Sequence, residues 1–105
     1  MENERERKMI YLSGKISGLD RTDYLEIFDY YEKKAQLIGD VINPAKTLDT
    51  LPELCYHQYM RLALDMLSMC NTIYLLPNWY ESQGAREEVR YAISHNYNII
   101  TPQSI

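Results

Sequence analysis

Four short apolar runs alternate along this chain with three longer stretches of helical periodicity. No other feature restricts the fold as much. The runs cover residues 9–12, 41–42, 72–76 and 98–101. Each is too short for a helix and is closed by glycine, proline or an Asn-Pro pair. They are apolar almost throughout, so both faces of the sheet they form should be covered. Between them, residues 23–38, 53–70 and 83–96 repeat apolar side chains at helical spacing. The order β-α-β-α-β-α-β predicts parallel strands joined by right-handed crossovers. The expected fold is α/β, a Rossmann-like (flavodoxin-like) three-layer parallel sheet of about four strands with flanking helices.

In the first helical stretch Tyr24, Ile27, Phe28, Tyr31, Ala35 and Ile38 share one face. Asp23 and Glu26 stand at capping-box spacing, and Gly39 fits the position just past a helix end. Residues 45–52 read as a loop. The second stretch carries two apolar stripes. One holds Tyr56, Tyr59, Met60, Ala63, Leu67 and Cys70; the other holds Leu62, Met66 and Met69. A chain of 105 residues has little with which to cover both, so a homodimer or higher homo-oligomer through this helix is expected. In the third stretch Ser82 suits an N-cap, and Ala85, Val89, Ala92 and Ile93 face the core. Glu87 points away from that stripe. Glu88 lies at its rim, about 80° from the centre.

Ligands of an open parallel sheet sit beyond the carboxyl ends of its strands, which directs attention to three loops. The first, Ser13-Gly14-Lys15-Ile16-Ser17-Gly18, combines two glycines, two hydroxyls and a lysine. Its amides can cup an anion, or it is a plain strand-to-helix connection. Asn43, held extended by Pro44, either turns its amide to a ligand or closes an Asx turn. The third loop runs from Pro77 into the last helix. There Ser82 and the amides of Gly84 and Ala85 form a helix cap that is also a phosphate site. Arg86 either adds charge to it or lies on the surface. Trp79 either stacks on a base or packs as a lid on the sheet edge. Glu88 is a candidate nucleophile beside the strand-end crevice, or a rim carboxylate serving solubility.

A net charge of −4 without a basic stripe argues against nucleic acid as a partner. Cys55 and Cys70 are too few for a disulfide scaffold or thiolate zinc site, and reduced thiols suit the cytoplasm. His57 and His95 have no partner at ligand spacing, so no metal is expected, and no organic cofactor is indicated. No apolar run approaches the ~20 residues of a membrane span. Residues 1–8 read as a charged, solvated tail without a signal-peptide core, and residues 9–105 as one domain.

The blocks Tyr11-Leu12-Ser13-Gly14-Lys15-Ile16-Ser17-Gly18 and Leu76-Pro77-Asn78-Trp79-Tyr80-Glu81-Ser82-Gln83-Gly84-Ala85-Arg86-Glu87-Glu88, with Asn43-Pro44, resemble a bacterial and phage domain family. That family, of unassigned function, belongs to the nucleoside 2-deoxyribosyltransferase-like superfamily, whose members include 2′-deoxynucleoside 5′-phosphate N-hydrolases. The most specific part is Trp, then Ser, then Gly-Ala-Arg and a Glu two residues on. The resemblance implies a Rossmann-like sheet, often a dimer, and a Glu at the place of Glu88 that attacks the anomeric carbon. It implies that the first-loop amides and hydroxyls and Ser82 hold a 5′-phosphate. Tyr11 would then hydrogen-bond Glu88, and Trp79 would cover the base. Two departures stand out: the second-helix carboxylate of active relatives falls at Ala63, and the Asp opening the third strand is Asn71. Two readings follow: N-glycosidic cleavage or deoxyribosyl transfer on 2′-deoxynucleoside 5′-phosphates, or a module that binds a nucleotide or nucleotide-sugar without turning it over.

Overall fold

A computed structural model describes residues 7–104. Its strands are β1 (Lys8–Ser13), β2 (Gly39–Ile42), β3 (Thr72–Leu75) and β4 (Asn98–Ile100). Its helices are α1 (Arg21–Ala35), α2 (Pro44–Leu48), α3 (Tyr56–Leu67) and α4 (Gln83–Ser94). The sheet is wholly parallel, in the order β2-β1-β3-β4. It lies between two helical layers, the α/β arrangement the alternation of runs requires. Side chains alternate across a strand, so Ile10 and Leu12 of β1 pack with Tyr74, Leu76, Phe28 and Ala35 on the α1 side. Tyr11 faces the other way and packs with Ile73, Leu75, Ala63, Leu67, Val89 and Ala92 under α3 and α4. No helix of the described residues is long and apolar enough to cross a membrane.

Element boundaries differ from expectation where local chemistry has two uses. Asn43-Pro44 ends β2, but Asn43 also caps a helix that the sequence reading took for loop. Its Oδ1 accepts from the Lys46 amide at 3.1 Å, with Pro44 opening α2. Helix α1 starts at Arg21, two residues before the Asp23 and Glu26 pair taken for its cap, and stops at Ala35. Ile38 is consequently 43% exposed and not in the core, and Ile27, on the same expected face, is 40% exposed. Gly39 belongs to β2, not to a helix cap. Helix α3 is shorter than residues 53–70, with the Gln58 side chain accepting from the Cys55 amide at its start. Of its second stripe, Met66 packs on the core, Leu62 is half-buried and Met69 stands out. Helix α4 ends before Asn96, whose left-handed φ of 60° lets the Tyr97 amide reach back to the Ala92 carbonyl at 2.9 Å. Ile93, assigned to the core by periodicity, is 58% exposed because it lies about 100° round the helix from Ala92.

The charged tail expected over residues 1–8 lies, for residues 1–6, outside the described residues. Its last two residues belong to the fold. Lys8 opens β1, and the Arg7 guanidinium grips both oxygens of Asp40 at 2.6 and 2.7 Å. That pairing ties the start of β1 to β2, and Lys8 lies opposite Gly39 in the ladder. A Cβ at Gly39 would stand 2.6 Å from the Lys8 carbonyl oxygen. Gly39→Ala is therefore expected to destabilise the domain by about 1–3 kcal/mol, read as a lower urea midpoint. A midpoint equal to wild type would show that the β1–β2 edge relaxes freely.

Candidate functional site

The connections leave neighbouring strands β1 and β3 on opposite faces, β1 towards α1 and β3 towards α4. This is the switch point at which open parallel sheets leave a crevice. A cavity of about 500 Å³ occupies it, large enough for a small organic ligand. Its wall takes Gly14, Ile16 and Ser17 from the loop after β1, Arg21, Tyr24 and Phe28 from α1, and the segment after β2 from Pro44 onwards. Tyr56, Tyr59 and Met60 come from α3, and Ser82, Gly84, Ala85 and Glu88 from the start of α4. The first loop is shaped by a turn in which the Leu19 amide meets the Ile16 carbonyl at 3.1 Å. Gly18 takes the positive φ of 85° that this turn demands.

Glu88 is the chemical centre of this cavity. It is 4% exposed, against the rim position that helical phase assigned to it. The Tyr11 hydroxyl donates to its Oε2 at 2.6 Å and the Ser13 hydroxyl to its Oε1 at 2.6 Å. The cause is strand geometry. Tyr11 and Ser13 are two residues apart on β1 and so point to the same face. The start of α4 lies over that face and lowers the carboxylate between them. Burial pushes the Glu88 carboxyl up to about 7; the Ser13 and Tyr11 hydrogen bonds pull it down, and the nearby Glu87 charge adds to the rise. Burial and the Glu88 charge also push the Tyr11 phenol well above its ordinary range, so it remains a donor. A carboxyl held in place and titrating near neutrality is suited to nucleophilic or proton-transfer work.

Tyr11→Phe and Ser13→Ala each remove a donor that favours the ionised form. Both are expected to move the Glu88 midpoint further above about 7, measured by carbon NMR of labelled glutamate. An unchanged midpoint in both variants would mean that the two hydroxyls do not act on the charge.

The profile of a protein family described as a domain of unknown function, DUF4406, matches residues 8–101. The chain belongs to the DUF4406 family. No curated protein matches it. In this DUF4406 chain the matched span includes every residue named above as lining the cavity.

The fold brings together part of the site read from the sequence. Glu88, Gly14, Ile16, Ser17, Ser82, Gly84 and Ala85 line the cavity. The Ser82 hydroxyl accepts from the Ala85 amide at 3.1 Å, which occupies that amide but leaves the hydroxyl proton to donate. Ser13, which the resemblance assigns to a phosphate, donates its hydroxyl to Glu88. Besides Ser13, five residues of the expected ligand set stand apart from the wall. Lys15 pairs with Glu81 at 3.2 Å, linking the loops after β1 and β3. Gly18 forms the exposed turn. Asn43 is spent on its cap and on Glu32, to which it donates at 2.9 Å. Trp79 packs on the cluster holding Tyr11 and Ile73, edge to face with Tyr80. Arg86 donates to the Tyr80 carbonyl at 2.7 Å on the surface. Glu87, expected to face solvent, is half-buried and accepts from Tyr56 at 2.7 Å.

Two positions where the resemblance expects acids have other work. Ala63 is fully buried with Tyr11 in the core cluster. Asn71 sits at the other end of β3 from the cavity, where its Oδ1 accepts from the Met9 amide at 3.0 Å. The wall also contains groups that the sequence reading missed. Arg21 and Asp49 lie on it as an ion pair, with contacts of 2.5 and 2.7 Å. Tyr56 and Tyr59 were read only as an apolar stripe. The available signal was their chemistry, since tyrosines where leucine would pack as well bring hydroxyls that need partners.

Proposed function

We propose that this protein cleaves or transfers the N-glycosidic bond of 2′-deoxynucleoside 5′-phosphates, with Glu88 as nucleophile. One observation carries the reading: a buried carboxylate on the cavity wall, each oxygen fixed by a hydroxyl from β1. Each oxygen keeps acceptor capacity for a further contact. The carboxylate would attack C1′, the C1′–N bond would break with its electron pair passing to the base, and water or a second base would resolve the glycosyl-enzyme. The phosphate would sit at the start of α4. There the Ser82 hydroxyl, the Gly84 amide, the helix dipole and the facing Ser17 favour an anion. The resemblance of the Trp79–Ser82–Gly84-Ala85-Arg86–Glu88 block to deoxyribosyltransferase-like proteins supports the same substrate class.

The test is a panel of deoxynucleoside monophosphates incubated with the protein and followed by chromatography for free base. Base release supports the reading. One observation favours a non-catalytic nucleotide-binding module instead: the second carboxylate position is the buried methyl of Ala63. Nucleotide binding in a calorimeter without base release would select that alternative. Absence of both would remove the two together.

A further inference from the structure

The cavity has two halves. Glu88, Ser82 and Gly84 come from the start of α4 on one face of the sheet, and Tyr24, Phe28 and Ala45 come from α1 and α2 on the other. Phe28 closes the floor of the second half: its ring tip lies 3.4 Å from where a Cβ of Gly14 would stand. Gly14 follows Ser13, the donor to Glu88, so the two halves meet there. Arg21, Tyr24 and Phe28 recur at helical spacing and line one face of α1. At 1.5 Å per residue they climb about 10 Å from floor to rim. Phe28 is 1% exposed, Tyr24 is half-buried and the Arg21 side chain is 65% exposed. Ile16, Leu48 and Leu51 complete an apolar wall between floor and rim.

Arg21 is the one cation among the described residues lining the cavity. Asp49 holds it side-on, with Nε donating to Oδ1 at 2.7 Å and Nη2 to Oδ2 at 2.5 Å. A guanidinium carries five N–H donors in one plane. This pairing therefore leaves its outer edge, one hydrogen on each of Nη1 and Nη2, as a parallel pair of donors that no described residue meets. Asp49 cancels the charge of the guanidinium, and Glu53 is a further acid on the wall. The edge suits a neutral group with two adjacent acceptors better than a second anion.

Resting on the deoxynucleotide reading, we propose that Arg21, held by Asp49, selects guanine by donating to its O6 and N7. With the phosphate at the start of α4 and C1′ at Glu88, the base enters the α1 half of the cavity. Its rings lie along the apolar wall and its edge remote from the sugar turns to the rim. Guanine carries two adjacent acceptors on that edge, O6 and N7. Adenine keeps N7 but sets its N6 amino donor against the other arm of the fork. Thymine offers O4 beside a methyl group, and cytosine offers the N4 amino donor. The adjacent acceptors of cytosine, N3 and O2, do not serve, because O2 adjoins the glycosidic nitrogen and faces away from the rim.

Calorimetry in a Glu88→Gln background, where turnover does not interfere, tests this with and without Arg21→Met. The ligands are the monophosphates of deoxyguanosine, deoxyinosine and deoxyadenosine, and 7-deazadeoxyguanosine monophosphate, which lacks the N7 acceptor. Base release from the same nucleotides is followed with Glu88 intact. The guanine and hypoxanthine nucleotides, which share O6 and N7, are expected to bind about 10- to 100-fold more tightly than the adenine nucleotide. Arg21→Met should bring both to the affinity of the adenine nucleotide and leave that affinity unchanged, which a general structural loss would not do. The 7-deaza change should weaken binding about 10-fold when Arg21 is present and have little effect once it is gone, so that the two losses do not add. Equal binding of all four nucleotides, a guanine preference that survives Arg21→Met, an equal fall in adenine-nucleotide affinity, or fully additive losses would overturn the role of Arg21. Base release by wild type would then leave the glycosidase reading in place. Guanine-selective binding without base release would overturn that reading and leave Arg21 its role. No nucleotide binding at all would overturn both.

Discussion

Glu88→Gln is expected to reduce base release from deoxynucleoside monophosphates by at least about 10³-fold while nucleotide binding persists. Glutamine has nearly the shape of glutamate and offers an oxygen to the Tyr11 or Ser13 hydroxyl. The hydroxyl facing its amide nitrogen can turn to accept. Packing under α3 and α4 is thus retained, and the change removes the charge that attacks C1′. The phosphate contacts assigned to the start of α4 do not involve this side chain, so calorimetric affinity should stay within a few-fold of wild type. Since the attacking form is ionised and burial sets its midpoint at about 7, the wild-type rate should rise with pH through neutrality and level off above it. A Gln variant that releases base at the wild-type rate would assign the chemistry to another group.

The same carboxyl makes stability move against activity. Its midpoint is raised from the ordinary 4.5 to about 7 in the folded chain. Below pH 4.5 it is protonated in both folded and unfolded states and imposes no penalty. Between 4.5 and about 7 the unfolded chain ionises freely and the folded one resists, so stability falls with rising pH. Above the folded midpoint the loss is complete, at about 3 kcal/mol from about 1.4 kcal/mol per pH unit. Asp40 and Asp49, held below the usual carboxylate range by hydrogen bonds from Arg7 and Arg21, act in the opposite sense. Their contribution is lost only as pH falls below 3.8. Urea unfolding of wild type and Glu88→Gln across pH 4 to 8 isolates the effect. The Gln variant should gain on wild type progressively through that window, and parallel curves would mean that Glu88 titrates normally. A protein that accepts this cost at neutral pH keeps an ionisable group in a buried position, as is common at functional sites.

Helical phase set Glu88 apart from Glu87 but left its exposure wrong. A helical wheel gives an angle around an axis and says nothing of what lies opposite. Burial of Glu88 depends on Tyr11 and Ser13, 77 and 75 residues away, presenting two hydroxyls on one face of β1. The spacing of those two residues was visible, but the helix lying over them was not. Asn43 and Trp79 each had two readings open for a related reason. Each sits at a strand end where a ligand contact and a local structural task look alike, and only the packed neighbours decide. Tyr59 was hidden because an amphipathic pattern records which side chains turn inward and not whether their polar atoms find partners.

By itself the sequence determined the order of the four strands and the three longer helices, the parallel sheet and the end of it at which the cavity lies. These follow from short-range patterning: run length, side-chain period and the punctuation of glycine and proline. Tertiary structure alone decided which polar groups meet. It placed Glu88 between two hydroxyls, turned Trp79 and Arg86 away from the cavity, and left the buried Tyr59 hydroxyl with no partner among the described residues. Those outcomes depend on long-range register and on the order β2-β1-β3-β4, which no local pattern encodes.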